Sequence, residues 1–438
     1  MLFDKPLSLT DALRFETLKK VLAVSDSIGS RDIQDFIPAH IRETAFFSAR
    51  TPYADYLSAT QAFIGRLLQP DVRVGPDSDR DHLVPTAPGG SISPAQVRAK
   101  MKQHLASLGY QPDPAKRGGL QDLSSDRRTN LIIDTQLSMA RGQGSWRQSQ
   151  DPDVLAVWPA DELYRAINPK GQARDWQSRW NAARADLGES TSATYAEMTN
   201  GPFVALKNDP IWSAISRFET PYPPFDYGSG MRVRNVGRRR AIALGLMDDG
   251  DKVTPVKDPL NRPWSVALQD TRPDVADALQ QAFGERASLQ GDRLFILPDP
   301  LATLKELVFR ASSGEQASGA FAFLTPAQQS QLNTVLGGPV KPGVTFDIDA
   351  SHITHSLKNH GNVSELQRGQ IPITDKDVVD LAKTVASGTP RKPTPAELRN
   401  AGPMDVTFDC HQGYTVGGSY SKKANRFLVH TIYRRAQK

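Results

Sequence analysis

The 438 residues are 39% hydrophobic, 23% charged and 8% aromatic, enough to fill cores and too apolar for a disordered or fibrous chain. At about 150 residues per domain the length predicts roughly three units, and 32 Gly with 32 Pro predict many turns between the elements. A single cysteine, Cys410, excludes an internal disulfide framework and any multi-cysteine zinc or iron–sulfur site, while 53 Lys and Arg against 48 Asp and Glu leave a net charge of +5.

In the opening MLFDKPLSLTDALRFETLKK, Asp4, Asp11 and Glu16 interrupt the apolar run that a secretory signal needs. No later stretch reaches the ~18 apolar residues of a membrane span, so synthesis in the cytoplasm without a membrane anchor is the expectation. Residues 1–68 read as helices, with Leu9, Leu13, Val21 and Leu22 on one face of the first and Ser8 or Thr10 as its cap. Residues 69–94 are rich in Pro, Gly, Asp and Ser without apolar periodicity and read as a linker or extended arm. From Ala95 to about Leu187 helical spacing returns (Val97, Met101, Leu105, Leu108; Leu131, Ile132, Leu137, Met139), ended by glycines such as Gly109 and Gly142. Trp146, Trp158, Tyr164, Trp176 and Trp180 in this part read as core or as a partner contact. Arg217–Leu246 is a Pro- and Gly-rich loop feeding a short helix over Arg238–Leu246, strongly basic at Arg232, Arg234, Arg238, Arg239 and Arg240. Helices follow at Pro273–Phe283 and Leu301–Ser312, and GGPVKPG, Gly337–Gly343, marks a boundary.

The tail beyond it reads as an α+β module: a helix over Ala350–His360, another near Asp375–Val385, then strands in DVTFDC, GYTVGGSY and RFLVHTIYR. All of the excess charge lies here, with 13 Lys and Arg against 7 Asp and Glu from Ser351 to Lys438, and so do five of the eight histidines. That balance suits phosphate contacts, although a solvated surface also explains it.

In SHITHSLKNHG, helical spacing puts His352, His355 and the backbone near Lys358 on one stripe, with His360 at the helix end before Gly361. Imidazoles exchange protons near neutral pH and a lysine can stabilise a phosphorane. RNA brings its own 2′-hydroxyl nucleophile, so its cleavage needs only a base, an acid and a cation. Two other readings stay open: zinc held by His352, His355 and a third ligand, and histidines that merely cap or cover the helix. In RGQIPITDKDV, Thr374 caps the helix starting at Asp375, while Arg368 and Gln370 are donors suited to phosphate or base edges. Along the last strand, period two sets Phe427, Val429, Thr431 and Tyr433 on one face and Leu428, His430, Ile432 and Arg434 on the other. Thr431, Tyr433 and Arg434 are then candidates for holding phosphate or stacking a base, with packing the alternative for Tyr433. Cys410 reads as a buried strand residue. No P-loop, dinucleotide fingerprint or GxSxG elbow is present.

RRTNLIIDTQLSMARGQGSW, Arg127–Trp146, and the Asn208–Leu246 segment with its tryptophan, double proline, glycines and arginines resemble the phage Mu F-type head morphogenesis (minor capsid) family. That family has a tryptophan and paired cysteines where this chain has Tyr227, Ser229 and Met231, so no metal or disulfide is implied there. The tail, through ITHSLKNHG, RGQIPIT and LVHTIYRR, is similar to the phage-borne barnase, EndoU, colicin and RelE-like nuclease domains often fused to Mu F-type proteins. The two resemblances imply a multidomain chain. Its N-terminal and middle region is mostly α, comprising a helical segment at 1–68, the linker at 69–94, a Mu F-like domain at 95–256 and a helical connection at 257–336. An α+β RNase-like domain with an antiparallel sheet occupies 344–438.

The implied role is head assembly with portal, capsid or scaffold proteins, first in the host cytoplasm and then in the virion, with a metal-independent ribonuclease at the C-terminus and no cofactor. His355, as leading candidate, with His360 and Thr431 would be catalytic. Lys358, Arg368, Gln370, Tyr433 and Arg434 would bind RNA. The alternatives are a polymorphic toxin with a Mu F-like carrier and an immunity protein as partner, and a purely structural protein with an inactive nuclease fold.

Overall fold

The computed structural model describes residues 7–68, 92–168, 174–194, 202–256, 263–401 and 403–436. Most of the expected linker therefore lies outside the described residues. The chain forms two compact units, Met1–Asp258 and Pro259–Lys438, and each combines helices with sheets.

In the N-terminal unit, helices Leu7–Leu18, Ala54–Leu68, Pro94–Ser107 and Asp126–Ser149 pack on one another. The first helix stops before Val21, because Lys20 and Val21 pair in parallel with Ala45 and Phe46. Gly142 does not end its helix but lies inside Asp126–Ser149. A Cβ there would fall 1.7 Å from the Pro223 carbonyl oxygen, so glycine admits a close backbone crossing. The expected all-helical stretch to Leu187 is interrupted by a strand, Ala160–Arg165, at the centre of an antiparallel sheet with Val204–Leu206 and Met231–Val236. Its charged residues hid it. Asp161 pairs with Lys207 at 3.6 Å and Glu162 with Arg234 and Arg240 at 2.8 and 2.9 Å, which lets acidic side chains occupy a partly buried strand. Trp176, Trp180, Trp212 and Phe225 fill the core beside this sheet, whereas Trp158 is exposed.

In the C-terminal unit the first surprise is the region read as a helical connection. Trp264–Ala267, Ala287–Gln290 and Arg293–Ile296 form a three-stranded antiparallel sheet beside the Pro273–Phe283 helix. The remaining elements are α1 (Pro300–Ser312), β1 (Ser318–Phe323), α2 (Pro326–Leu336), β2 (Thr345–Asp349), α3 (Ala350–His360), β3 (Gln370–Ile371), α4 (Asp375–Val379), α5 (Leu381–Ala386), β4 (Thr389–Arg391), α6 (Pro395–Ala401), β5 (Val406–Asp409), β6 (Tyr414–Ser421) and β7 (Arg426–Arg435).

One sheet runs β4-β5-β6-β7-β2-β1, with β3 added to the far end of β7. It is mixed rather than purely antiparallel, because β2 lies parallel to β7. Helices α1 to α5 supply Leu304, Leu307, Leu332, Ile353, Val378, Leu381 and Val385 to a core shared with Phe321, Phe346, Phe408, Val416 and Phe427. That core spans both sides of Gly337–Gly343, so β1 and α1 belong with the tail and the glycine-rich stretch is a turn inside the unit.

Two features of β7 position the site. Its outer edge is shared: β2 pairs with Arg426–Val429 and β3 with Arg434 and Arg435. In the interval between them α3 replaces a strand, and Ser356 Oγ accepts the Ile432 N–H at 3.2 Å. The second feature is a bulge. Gly417 lies opposite Thr431 but Gly418 opposite Val429, so His430 is an extra residue that reverses the alternation beyond it. Ile432 joins Phe427 and Val429 in the core, and Thr431 and Tyr433 turn to the opposite face. The expected grouping of Phe427, Val429, Thr431 and Tyr433 on one face is thereby corrected.

Candidate functional site

Helix α3 begins as β2 leaves the sheet and runs beside β7, with Ile353 in the core and Lys358 and His360 in its last turn, where the helix dipole favours the lysine's charge. The side chains it turns to β7 recur at i, i+4 and i+8, not at the i, i+3, i+6 spacing of His352, His355 and Lys358. His352 stacks on His430 with ring centroids 4.9 Å apart, Ser356 takes the Ile432 N–H, and His360 meets Thr431 and Tyr433.

His360 is held from two sides. Its Nδ1 lies 3.2 Å from Glu365 Oε2, and its Nε2 lies 3.4 Å from Thr431 Oγ1. A carboxylate only accepts, so in the neutral ring Nδ1 carries the proton toward Glu365 and Nε2 keeps the lone pair. Glu365 is buried, and its other oxygen accepts from Arg368 at 3.0 Å, whose guanidinium is otherwise exposed. The result is a carboxylate–imidazole–hydroxyl chain with an exposed guanidinium, Arg368, paired to its carboxylate end. Such a chain orients a general base. Thr431 itself is 1% exposed, which excludes it as the attacking group on a bulky substrate and leaves it to hold the imidazole.

Beside this chain a second network closes over Tyr433. Thr394 and Glu397 form a capping box at the start of α6: the Thr394 N–H donates to Glu397 Oε2 at 2.7 Å, and the Glu397 N–H to Thr394 Oγ1 at 3.3 Å. The same buried carboxylate accepts two hydrogen bonds from Arg391 at 2.7 and 2.8 Å, the Tyr433 hydroxyl at 2.6 Å and Arg435 at 2.9 Å. The Arg391 guanidinium holds the Glu397 carboxyl far below the usual carboxylate range. Burial, with that carboxylate alongside, pushes the Tyr433 phenol up. At the His352–His430 stack, burial and the second imidazole push His352 down.

Of the residues singled out from the sequence, His360, Thr431, Tyr433 and Arg368 come together. His355 is exposed and pairs with Asn359, four residues on, at 3.0 Å. Lys358, on α3, is exposed. Gln370 sits half-buried on β3, and Arg434 lies over the Tyr414 ring at 4.8 Å with Nε donating to the Gln412 carbonyl. The sequence reading missed Glu365, Arg391 and Glu397. The TPAE capping signature was available for Glu397, whereas nothing local marks Glu365 except an acid in a basic tail. Among the described residues, no group of three or more His, Cys, Asp or Glu side chains is placed to hold a metal ion, and no helix is long and apolar enough to cross a membrane. Burial pushes the Cys410 thiol, just beyond β5, up to about 12.

Comparison with known proteins found no matching family model, no matching curated protein and no matching solved structure.

Proposed function

We propose that the C-terminal unit is a metal-independent ribonuclease domain carried by a minor capsid protein of a tailed phage or prophage. The observation that supports the nuclease reading best is the Glu365–His360–Thr431 chain with Arg368 beside it. His360 Nε2, once the Thr431 hydroxyl yields it, would take the proton of an RNA 2′-hydroxyl as that oxygen bonds to phosphorus. The P–5′-oxygen bond would break, with the 5′-oxygen protonated by the imidazolium or by water, while Glu365 fixes the tautomer and Arg368 meets the phosphate. His355, the leading candidate from the resemblance, has no such partners. For the assembly role the support is that the two segments resembling the Mu F-type family pack on each other, Gly142 against Pro223 and Trp146 6.0 Å from Tyr222.

The test is RNA cleavage by the full chain in EDTA. His360→Ala should lower the rate by about 10²–10⁴-fold and Glu365→Gln should lower it less, with a cyclic phosphate product. His355→Ala should leave it unchanged. Loss of activity in His355→Ala with retention in His360→Ala would overturn the assignment. One observation favours a second reading, an inactive nuclease fold used for binding: Thr431 and Tyr433 are 1% and 7% exposed, and the Tyr433 hydroxyl is already taken by Glu397. A full chain that leaves RNA intact yet co-purifies with portal or capsid proteins would decide for it.

A further inference from the structure

The N-terminal unit contains a cavity of about 770 Å³, within the size range of small-molecule sites. One wall is apolar, formed by Phe15, Ile33, Leu123 and Ile132, all buried. The opposite character comes from Arg42 and Arg128, which both line it. Arg42 is only 8% exposed. Its Nη2 reaches Glu219 at 2.9 Å, and that glutamate faces solvent, while its buried Nε has no hydrogen-bond partner among the described residues. Arg128 donates through Nη2 to Ser48 Oγ and the Ala49 carbonyl, and its buried Nε also has no hydrogen-bond partner among the described residues. Among the described residues, no carboxylate is a partner of Arg128.

Burying a guanidinium without a counter-charge is costly, and this holds for Arg128, whereas Arg42 has Glu219 and the neighbouring Glu43. The lining adds further cations, Arg50 and Arg127, against the acids Glu43 and Asp134. Glu43 already accepts the Tyr222 hydroxyl. Burial pushes both Arg42 and Arg128 below the usual arginine value, and for Arg128 Arg50 adds to it. Two guanidinium forks with a serine hydroxyl nearby match a dianion with several acceptor oxygens better than a single carboxylate.

We propose that this cavity binds a small organic phosphate, with the phosphate on Arg42, Arg128 and Ser48 and the apolar body on Phe15, Ile33, Leu123 and Ile132. The site lies in the unit that does not carry His360, so it stands independently of the ribonuclease reading.

Isothermal titration of the full chain tests it with phenyl phosphate, inorganic phosphate and benzoate as probes. Phenyl phosphate should bind saturably at one site and at least about tenfold more tightly than either other probe, because only it meets both walls. Arg128→Gln and Arg128→Lys should each weaken it by about tenfold or more, the second because it keeps the charge but loses the fork. Arg141→Gln, exposed on the same helix, should bind as the unaltered chain does, and circular dichroism should show every variant folded. Absence of saturable heat with phenyl phosphate, equal affinity for benzoate, or unaltered binding by both Arg128 variants would overturn the proposal. If Arg128→Gln does not fold, Arg128→Lys carries the same decision.

Discussion

A chain cut at Val344, where the glycine-rich stretch reads as a domain boundary, should not fold. The cut removes β1, α1 and α2, and with them Leu304, Leu307, Phe321, Leu324, Leu332 and Val340, which are 0, 3, 0, 1, 0 and 6% exposed. Full burial of such side chains stabilises by about 1.5–3 kcal/mol each, so their loss costs roughly 9–18 kcal/mol, an upper value because the unfolded chain is itself partly compact. A domain of this size is stable by only about 5–15 kcal/mol. The cut also strips β2 of its antiparallel neighbour along Thr345–Asp349, exposing an edge that invites aggregation. Urea titrations of residues 259–438 and 344–438, followed by circular dichroism, make the comparison. The longer chain should unfold in one cooperative transition and the shorter should show none. A cooperative transition of 344–438 with a midpoint near that of the longer chain would refute the claim that the core crosses Gly337–Gly343.

Glu397→Gln should destabilise the C-terminal unit by about 3 kcal/mol at pH 7, since it leaves Arg391, Arg435 and the Tyr433 hydroxyl facing a neutral amide. The folded carboxyl titrates below its unfolded value. Its contribution is therefore complete above about pH 4.3 and is lost as the pH falls through the lower folded value. Urea midpoints of the two proteins should differ equally at pH 5 and 7 and converge only well below pH 4, and coincident midpoints at pH 7 would contradict this. Cys410 should resist thiol reagents at pH 8 and react only as urea unfolds the unit, because burial pushes its thiol up to about 12; prompt labelling of the native protein would show otherwise. Gly418→Ala should cost roughly 1–3 kcal/mol or more, as a Cβ there would fall 2.0 Å from the Leu428 carbonyl oxygen at the bulge. A thermal melt matching that of the unaltered chain would mean that the bulge relaxes freely.

Local pattern carried far in the tail. The apolar spacing of SHITHSLKNHG and the Gly after it marked α3, which runs over Ala350–His360, and the alternating β-branched and aromatic residues marked β5, β6 and β7. It failed where partners far along the chain make a short segment extended. Ala160–Arg165 is a strand because Lys207, Arg234 and Arg240 neutralise its acids, and the four-residue strands at 264–267, 287–290 and 293–296 are too short to display a period.

The candidate site divides in the same way. His360, Thr431, Tyr433 and Arg368 were visible as residue types suited to phosphate chemistry, and the single cysteine already ruled out disulfide bridging within the chain. Their convergence was not visible, because it depends on one extra residue. Without the bulge at His430, strict alternation would keep Thr431 and Tyr433 on the face of Phe427 and Val429. With it, Ile432 takes the core position and the two hydroxyls face His360 and Glu397. A sequence records the period of a strand, but the slip between two paired strands is settled by which register buries the larger apolar side chains and satisfies both backbones.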